Sequence, residues 1–214
     1  VVEGGLAVTS AARTLAEPAR PALRVAPPHS EVDMAAAEQA AAAFLRALGV
    51  DADAEGLRAT PGRMARAYAE LFNAPEFDLT TFPNDEGYDE LVLARSIPMR
   101  SVCEHHLLPF VGVAHVGYLP GERILGLSKL ARVVGHFAAR PQVQERLTKQ
   151  VAGWLQEHLQ PAGVGVVIEA EHSCMTVRGV RASGSVTVTS TLLGTLRDDP
   201  RSRQEFFALA RTAP

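Results

Sequence analysis

The chain has 214 residues, 47% of them hydrophobic, a net charge of -3 and two cysteines. That supports one well-buried core, and the slight acidity excludes a broad nucleic-acid footprint while leaving room for a local basic pocket around a small anion. No run of about 18 apolar residues occurs, so no membrane-spanning helix is expected; with no secretory signal visible, a cytoplasmic protein with reduced thiols is expected.

Residues 1–30 carry Pro18, Pro21, Pro27 and Pro28 among many alanines, with no sustained period, and read as a disordered leader. From Glu31, the positions Met34, Ala37, Ala41, Phe44, Leu45 and Leu48 share one helical face, and Gly49 ends the run. A second helix is expected to be capped by Thr60 with Pro61 in its first turn, and Met64, Ala67, Tyr68, Leu71 and Phe72 form its apolar stripe. Arg63 lies in that first turn, where a solvated arginine is ordinary.

After a polar loop around Pro83 to Glu90, Leu91 to Ile97 reads as a strand leading into SVCEHHLLPF, residues 101–110. Val111 to Leu119 is another strand, with His115 a packed or surface residue too far in register from the motif to act as a ligand. Ser128 to Leu159 is mostly helical, interrupted at Pro141, and Val143, Leu147, Val151, Trp154, Leu155 and Leu159 hold a long apolar face. Val164 to Ala170 suits a buried strand, Ser185 to Thr191 alternates, and Arg201 to Arg211 forms a last helix with Phe206, Phe207 and Leu209 available for packing. Helices and strands segregate, so the expected class is α+β: an antiparallel sheet with helices on one face, plus an N-terminal helical arm. The expected organisation is a leader over 1–30 and one domain over 31–214, with N-terminal helices at 31–73 and the core at 91–214.

The chemistry concentrates in Cys103, Glu104, His105 and His106. A thiolate and an imidazole at that spacing can reach one ion, and sulfur with nitrogen suits Zn²⁺ better than Ca²⁺ or Mg²⁺. Cys103 and His106 are therefore candidate ligands, and Cys174, in EAEHSCMTVRG, is the candidate third. Three protein ligands leave a fourth position for water, which distinguishes a catalytic zinc from a closed structural one. Counting alone leaves two other readings open, a single disulfide or two unrelated buried thiols. His105 and His172, left over beside the two cysteines, are candidate proton donors and acceptors. Gly126, Leu127, Ser128, Lys129 and Arg132 lie at a helix start, which favours an anion, although solvated basic residues there are also ordinary. Arg178 gains interest if Cys174 binds metal. Gln144 and Glu145 can pair with the donor edge of a guanine, although an exposed Gln-Glu on a helix is common.

Together these blocks resemble the GTP cyclohydrolase I family, the zinc enzymes of the tunnelling-fold group. The resemblance runs from about Glu31 to Arg211 through TPGRMARAY, SVCEHHLLPFVGVAHVGYLP, GLSKLARVV, ARPQVQERLT, EHSCMTVRGVR, TVTSTLLG and RSRQEFFALAR, in that order. It implies one Zn²⁺ per subunit on Cys103, His106 and Cys174, with proton-transfer roles for His105 and His172. It implies triphosphate contacts from Ser128, Lys129, Arg132, Arg178 and Arg63, and a guanine held by Glu145 with help from Gln144. It further implies a toroidal homodecamer with active sites where subunits meet. The implied reaction adds water at C8 of GTP, opens the imidazole ring by protonation, releases formate in a second hydrolysis, and recloses as 7,8-dihydroneopterin triphosphate. Ser173 departs from the family, which more often has Met or Tyr there. Rival readings are a zinc-stabilised binding protein without turnover, a cyclohydrolase for a modified purine nucleotide, and a disulfide-linked secreted protein.

Overall fold

The computed structural model describes residues 24–25, 32–74 and 76–211. The expected leader over 1–30 lies outside these residues apart from β1 (Arg24–Val25). Helix α1 (Met34–Ala47) begins at the first residue of the expected apolar stripe, where the Asp33 side chain accepts the Ala36 N–H at 2.9 Å. Gly49, just past its end, takes φ of +76°, a conformation that glycine adopts without a Cβ penalty. Of the expected apolar stripe only Ala41 is fully buried, while Phe44 and Leu48 are 55% and 63% exposed. Helix α2 (Thr60–Phe72) packs on α1, but Thr60 is its first helical residue and not its cap. The preceding turn already runs into the helix through Thr60 N–H to Leu57 O at 2.8 Å, so the cap position falls on Ala59 and has no side-chain acceptor.

The connection to the core holds two short strands, β2 (Phe77–Asp78), paired with β1, and β3 (Thr81–Pro83). Then follow β4 (Val92–Cys103), β5 (Pro109–Leu119) and β6 (Arg123–Leu125), the last pairing back on β3. The remaining elements are α3 (Ser128–Ala138), β7 (Pro141–Gln142), α4 (Gln144–Leu159), β8 (Gly163–His172), α5 (Ser173–Thr176), β9 (Thr187–Gly194), α6 (Thr195–Asp198) and α7 (Pro200–Arg211). The main sheet has the order β7-β4-β5-β8-β9. It is antiparallel throughout except for the β4–β7 pair, which the intervening α3 crossover makes parallel.

Helices α3 and α4 cover one face, bringing Leu130, Val133, Val134, Leu147, Val151 and Leu155 against Phe110, Ala114, Val116, Tyr118, Val164 and Ile168. Each such side chain, fully buried, is worth about 1.5–3 kcal/mol of transfer free energy for the larger aliphatics. At one end the chain turns round the sheet. Leu196 of α6 and Phe206 of α7 pack on the opposite face against Val167, Leu93, Leu119 and Leu192. With both its faces covered there, β8 reads as the continuous apolar run GVGVVI rather than as an alternation. His115 is a packed strand residue. It is buried, its Nδ1 lies 3.4 Å from the Ser96 N–H at the β4 bulge, and burial lowers its pKa.

The β5–β8 pairing depends on small residues. A Cβ on Gly112 would lie 1.9 Å from the Glu169 carbonyl oxygen, and one on Gly165 would lie 2.7 Å from the Phe206 ring. Backbone cannot yield as a flexible side chain can, so Gly112→Ala is expected to cost at least about 2 kcal/mol of stability. Chemical denaturation read by circular dichroism checks this, and a midpoint equal to that of the unaltered chain contradicts it.

Candidate active site

The site is built where three strand ends meet. Cys103 is the last residue of β4, and its N–H bonds the Leu108 carbonyl at 2.8 Å to close the hairpin into β5. Within the connection, Leu107 N–H and His106 N–H both donate to the Cys103 carbonyl, at 2.8 and 3.3 Å. This tight turn sets Cys103 Sγ 3.7 Å from His106 Nδ1 and 3.9 Å from His105 Nδ1. The turn is braced from two sides. Tyr68 of α2 donates its hydroxyl to the Leu107 carbonyl at 2.9 Å, and Glu104 N–H bonds the Gln142 carbonyl of β7 at 3.0 Å.

On the other side of β5, Phe110 stands in register with His172, the last residue of β8. Their rings stack at 4.3 Å with 6° between planes. The short helix α5 then starts at once and turns Cys174 back toward Cys103. The outcome is that Cys103, His106 and Cys174 offer ligand atoms within 4.8 Å of one another. Three donors at about 2.0–2.3 Å from one zinc would lie within roughly 4 Å of each other, so the set fits a single ion with modest closure. Both cysteines are free, which removes the disulfide reading. Burial and the adjoining Cys103 thiol push the Cys174 thiol up, as expected for two thiols packed together.

Around this set, burial lowers the His172 pKa, with the Glu145 carboxylate acting in the opposite direction. Glu145 itself is exposed at the start of α4. Gln144, expected at the edge of a guanine, is instead only 2% exposed, and both ends of its amide are engaged within the chain. Its Nε2 donates to Ile168 O and Thr187 O at 3.0 Å each, and its Oε1 faces His172 Nε2 at 2.7 Å. The reason is position: the first turn of α4 lies over β8 and β9, so a side chain there enters the sheet. His105 is exposed, with its Nε2 3.8 Å from the Glu104 carboxylate. Glu104 is held by Arg146, whose Nε donates to Gln142 Oε1 at 3.1 Å.

Arg178 lies on the exposed segment after α5, near enough for its charge to pull the Cys174 thiol partly back down. Ser128 and Arg132 are exposed at the start of α3, Lys129 between them is nearly buried, and Arg63 is exposed on α2. No hydrogen bond or ion pair among the described residues joins these four to the cysteine–histidine cluster. Sequence reasoning missed Tyr68, Phe110, Gln142 and Arg146 as supports. Phe110 lies inside the motif and Gln142 and Arg146 flank Gln144, but the register and crossover that bring them together carry no local signal.

Residues 37–211 match the family model described as GTP cyclohydrolase I. A relative named GTP cyclohydrolase 1 from Streptomyces avermitilis is 56% identical over 185 residues, spanning 84% of this chain and 91% of the relative. Another of that name from Aquifex aeolicus is 49% identical over 180 residues, covering 84% of this chain and 98% of its own length. A third, from Rhodopirellula baltica, is 50% identical over 191 residues, covering 87% and 82%.

A thiol must lose its proton to bind a metal, and the Cys174 pKa is raised, so metal uptake is expected to release protons. Affinity for Zn²⁺ should therefore fall as pH falls, by about tenfold per pH unit for each proton displaced. Competition titrations with a chromophoric chelator between about pH 8 and pH 6 check the slope; a pH-independent affinity contradicts thiolate ligation.

Proposed function

Since this chain belongs to the GTP cyclohydrolase I family, we propose that Cys103, His106 and Cys174 hold one zinc ion per subunit and that the polar groups around them carry the family's reaction. That activity is the hydrolysis and ring rearrangement of GTP to 7,8-dihydroneopterin triphosphate with release of formate, the first step of pterin and tetrahydrofolate synthesis. The observation that carries the site assignment is the convergence of two unpaired cysteines and a histidine within 4.8 Å, with two further histidines beside them. A zinc with three protein ligands supplies Lewis acidity and a water of lowered pKa when bound.

The chain's own residues do the rest. Zinc can orient an attack, but ring opening also needs a proton delivered to a nitrogen of the purine as its bond to carbon breaks. His172 is the donor in this reading. Its ring is clamped by Phe110 on one face and Gln144 at one edge, and burial lowers its pKa, so near neutral pH it starts neutral, takes a proton from the adding water and passes it to the purine nitrogen. His105, on the exposed rim 3.8 Å from the Glu104 carboxylate, exchanges protons in the second hydrolysis. The Glu145 carboxylate, exposed beside His172, accepts paired N–H bonds from the guanine.

Ser128, Lys129 and Arg132 at the start of α3, with Arg178 and Arg63, take the triphosphate. Support comes from the clustering of Ser128, Lys129 and Arg132 at the start of an 11-residue helix, whose N-terminal end favours an anion. The clamp orients the base and breaks no bond. The dispersed positions of these cations favour an assembly in which neighbouring chains complete each site, and we read that assembly as a homodecamer. Val177 and Val180, 70% and 75% exposed beside the cysteine cluster, and the open edge strand β9 with Val188 59% exposed, suit burial by another copy. Reduced thiols as ligands favour a cytoplasmic location.

Metal-loaded protein is expected to release formate from GTP. Cys174→Ala should lose metal and turnover together, whereas His172→Ala should retain metal and lose at least about 100-fold in kcat. Metal analysis and formate release on the same samples decide it. Full turnover by metal-free Cys174→Ala contradicts the ligand set, and undiminished kcat in His172→Ala removes its proton-transfer role.

A further inference from the structure

We propose that Gln144 is a positioning residue for His172: its side-chain carbonyl holds the ring as the Nε2–H tautomer and leaves Nδ1 as the nitrogen that exchanges protons with the substrate. This rests on the reading of His172 as the proton-transfer group.

The argument begins with the amide. One end of Gln144 lies 3.0 Å from two backbone carbonyl oxygens, those of Ile168 and Thr187, and 3.2 Å from Thr189 Oγ1. Carbonyl oxygens only accept, so that end must be the NH₂ group. The other end is then the carbonyl oxygen, and it also only accepts. It lies 2.7 Å from His172 Nε2, so Nε2 must carry a proton and donate it. A neutral imidazole has one N–H, which leaves Nδ1 with the lone pair.

The amide cannot turn round. Rotation would set Oε1 against two carbonyl oxygens, acceptor facing acceptor, in a position only 2% exposed. Behind it, Thr148 Oγ1 donates to the Gln144 backbone carbonyl at 2.8 Å and lies 2.7 Å from Thr189 Oγ1, which ties this turn of α4 to β9. The Phe110 ring, stacked at 4.3 Å and 6°, fixes the plane of the imidazole, and Gln144 fixes its rotation within that plane. A flipped ring would set a carbon where Nε2 now donates. The same burial argues against a direct role at the guanine, because a ligand cannot reach an amide whose hydrogens are both committed to backbone.

The test is Gln144→Leu in the metal-loaded protein, alone and with His172→Ala. Positioning predicts that kcat falls at least about tenfold while metal content, the KM for GTP and the calorimetric Kd for GTP stay within about twofold. It also predicts that Gln144→Leu causes no further loss of kcat once His172 is alanine, since an intermediary has nothing left to act through. Gln144→Met, which keeps the length of the side chain without a strong acceptor toward Nε2, is expected to lose kcat as Gln144→Leu does. If the leucine variant fails to fold, the methionine variant decides by itself: kcat lowered at least about tenfold with unchanged Kd is expected, and unchanged kcat overturns the proposal. A weakened Kd with kcat unchanged, or losses that multiply in the double variant, overturns the proposal. Formate release by the unaltered protein in the same assay tests the parent reading separately.

Discussion

The structure depends on β5 being paired along both edges. Phe110 at its start is matched to His172 on one side, and Val102 meets Pro109 on the other, so the ends of β4 and β8 arrive at one place. Cys103 and Cys174, far apart in sequence, become neighbours only through that double register. A slip of one residue in either ladder would turn the site-facing side chains to the opposite face of the sheet. The close approach at Gly112, where only hydrogen fits against the Glu169 carbonyl, is one feature that keeps the β5–β8 ladder tight.

The second dependence is polar and buried. Gln142, Gln144 and Thr148 are almost fully enclosed, yet each finds partners: Phe137 O and Gln150 for Gln142, strand carbonyls and His172 for Gln144, Thr189 for Thr148. Each such group left unsatisfied would cost about 1–3 kcal/mol. Burial of this kind fixes one arrangement, and here it fixes the surroundings of the two cysteine-bearing strand ends. Helix α4 is thus more than a cover for the sheet, because its first turn both reaches His172 through Gln144 and holds Arg146 on Glu104.

Much of this was legible in the chain. Cys103, His106 and Cys174 were identifiable because soft donors are few and each cysteine has a histidine within three residues, and the helical periods of α2, α4 and α7 predicted elements that exist. The fate of α1 was not legible, since its period is helical while Phe44 and Leu48 remain exposed; periodicity reports a face, not what covers it. The role of Gln144 was hidden for a different reason. A glutamine at a helix start reads as exposed, and only the crossover that lays α4 across β8 and β9 places it inside. Glu104 and Arg146 likewise need the parallel β4–β7 contact before they can meet.

The most direct measurement of the central claim, that one ion joins the ends of β4 and β8, is zinc-edge X-ray absorption on the metal-loaded protein. The account predicts two sulfur ligands at about 2.3 Å, with the remaining positions filled by one imidazole nitrogen and one light atom from solvent. A shell with no sulfur, or with one sulfur only, would contradict it.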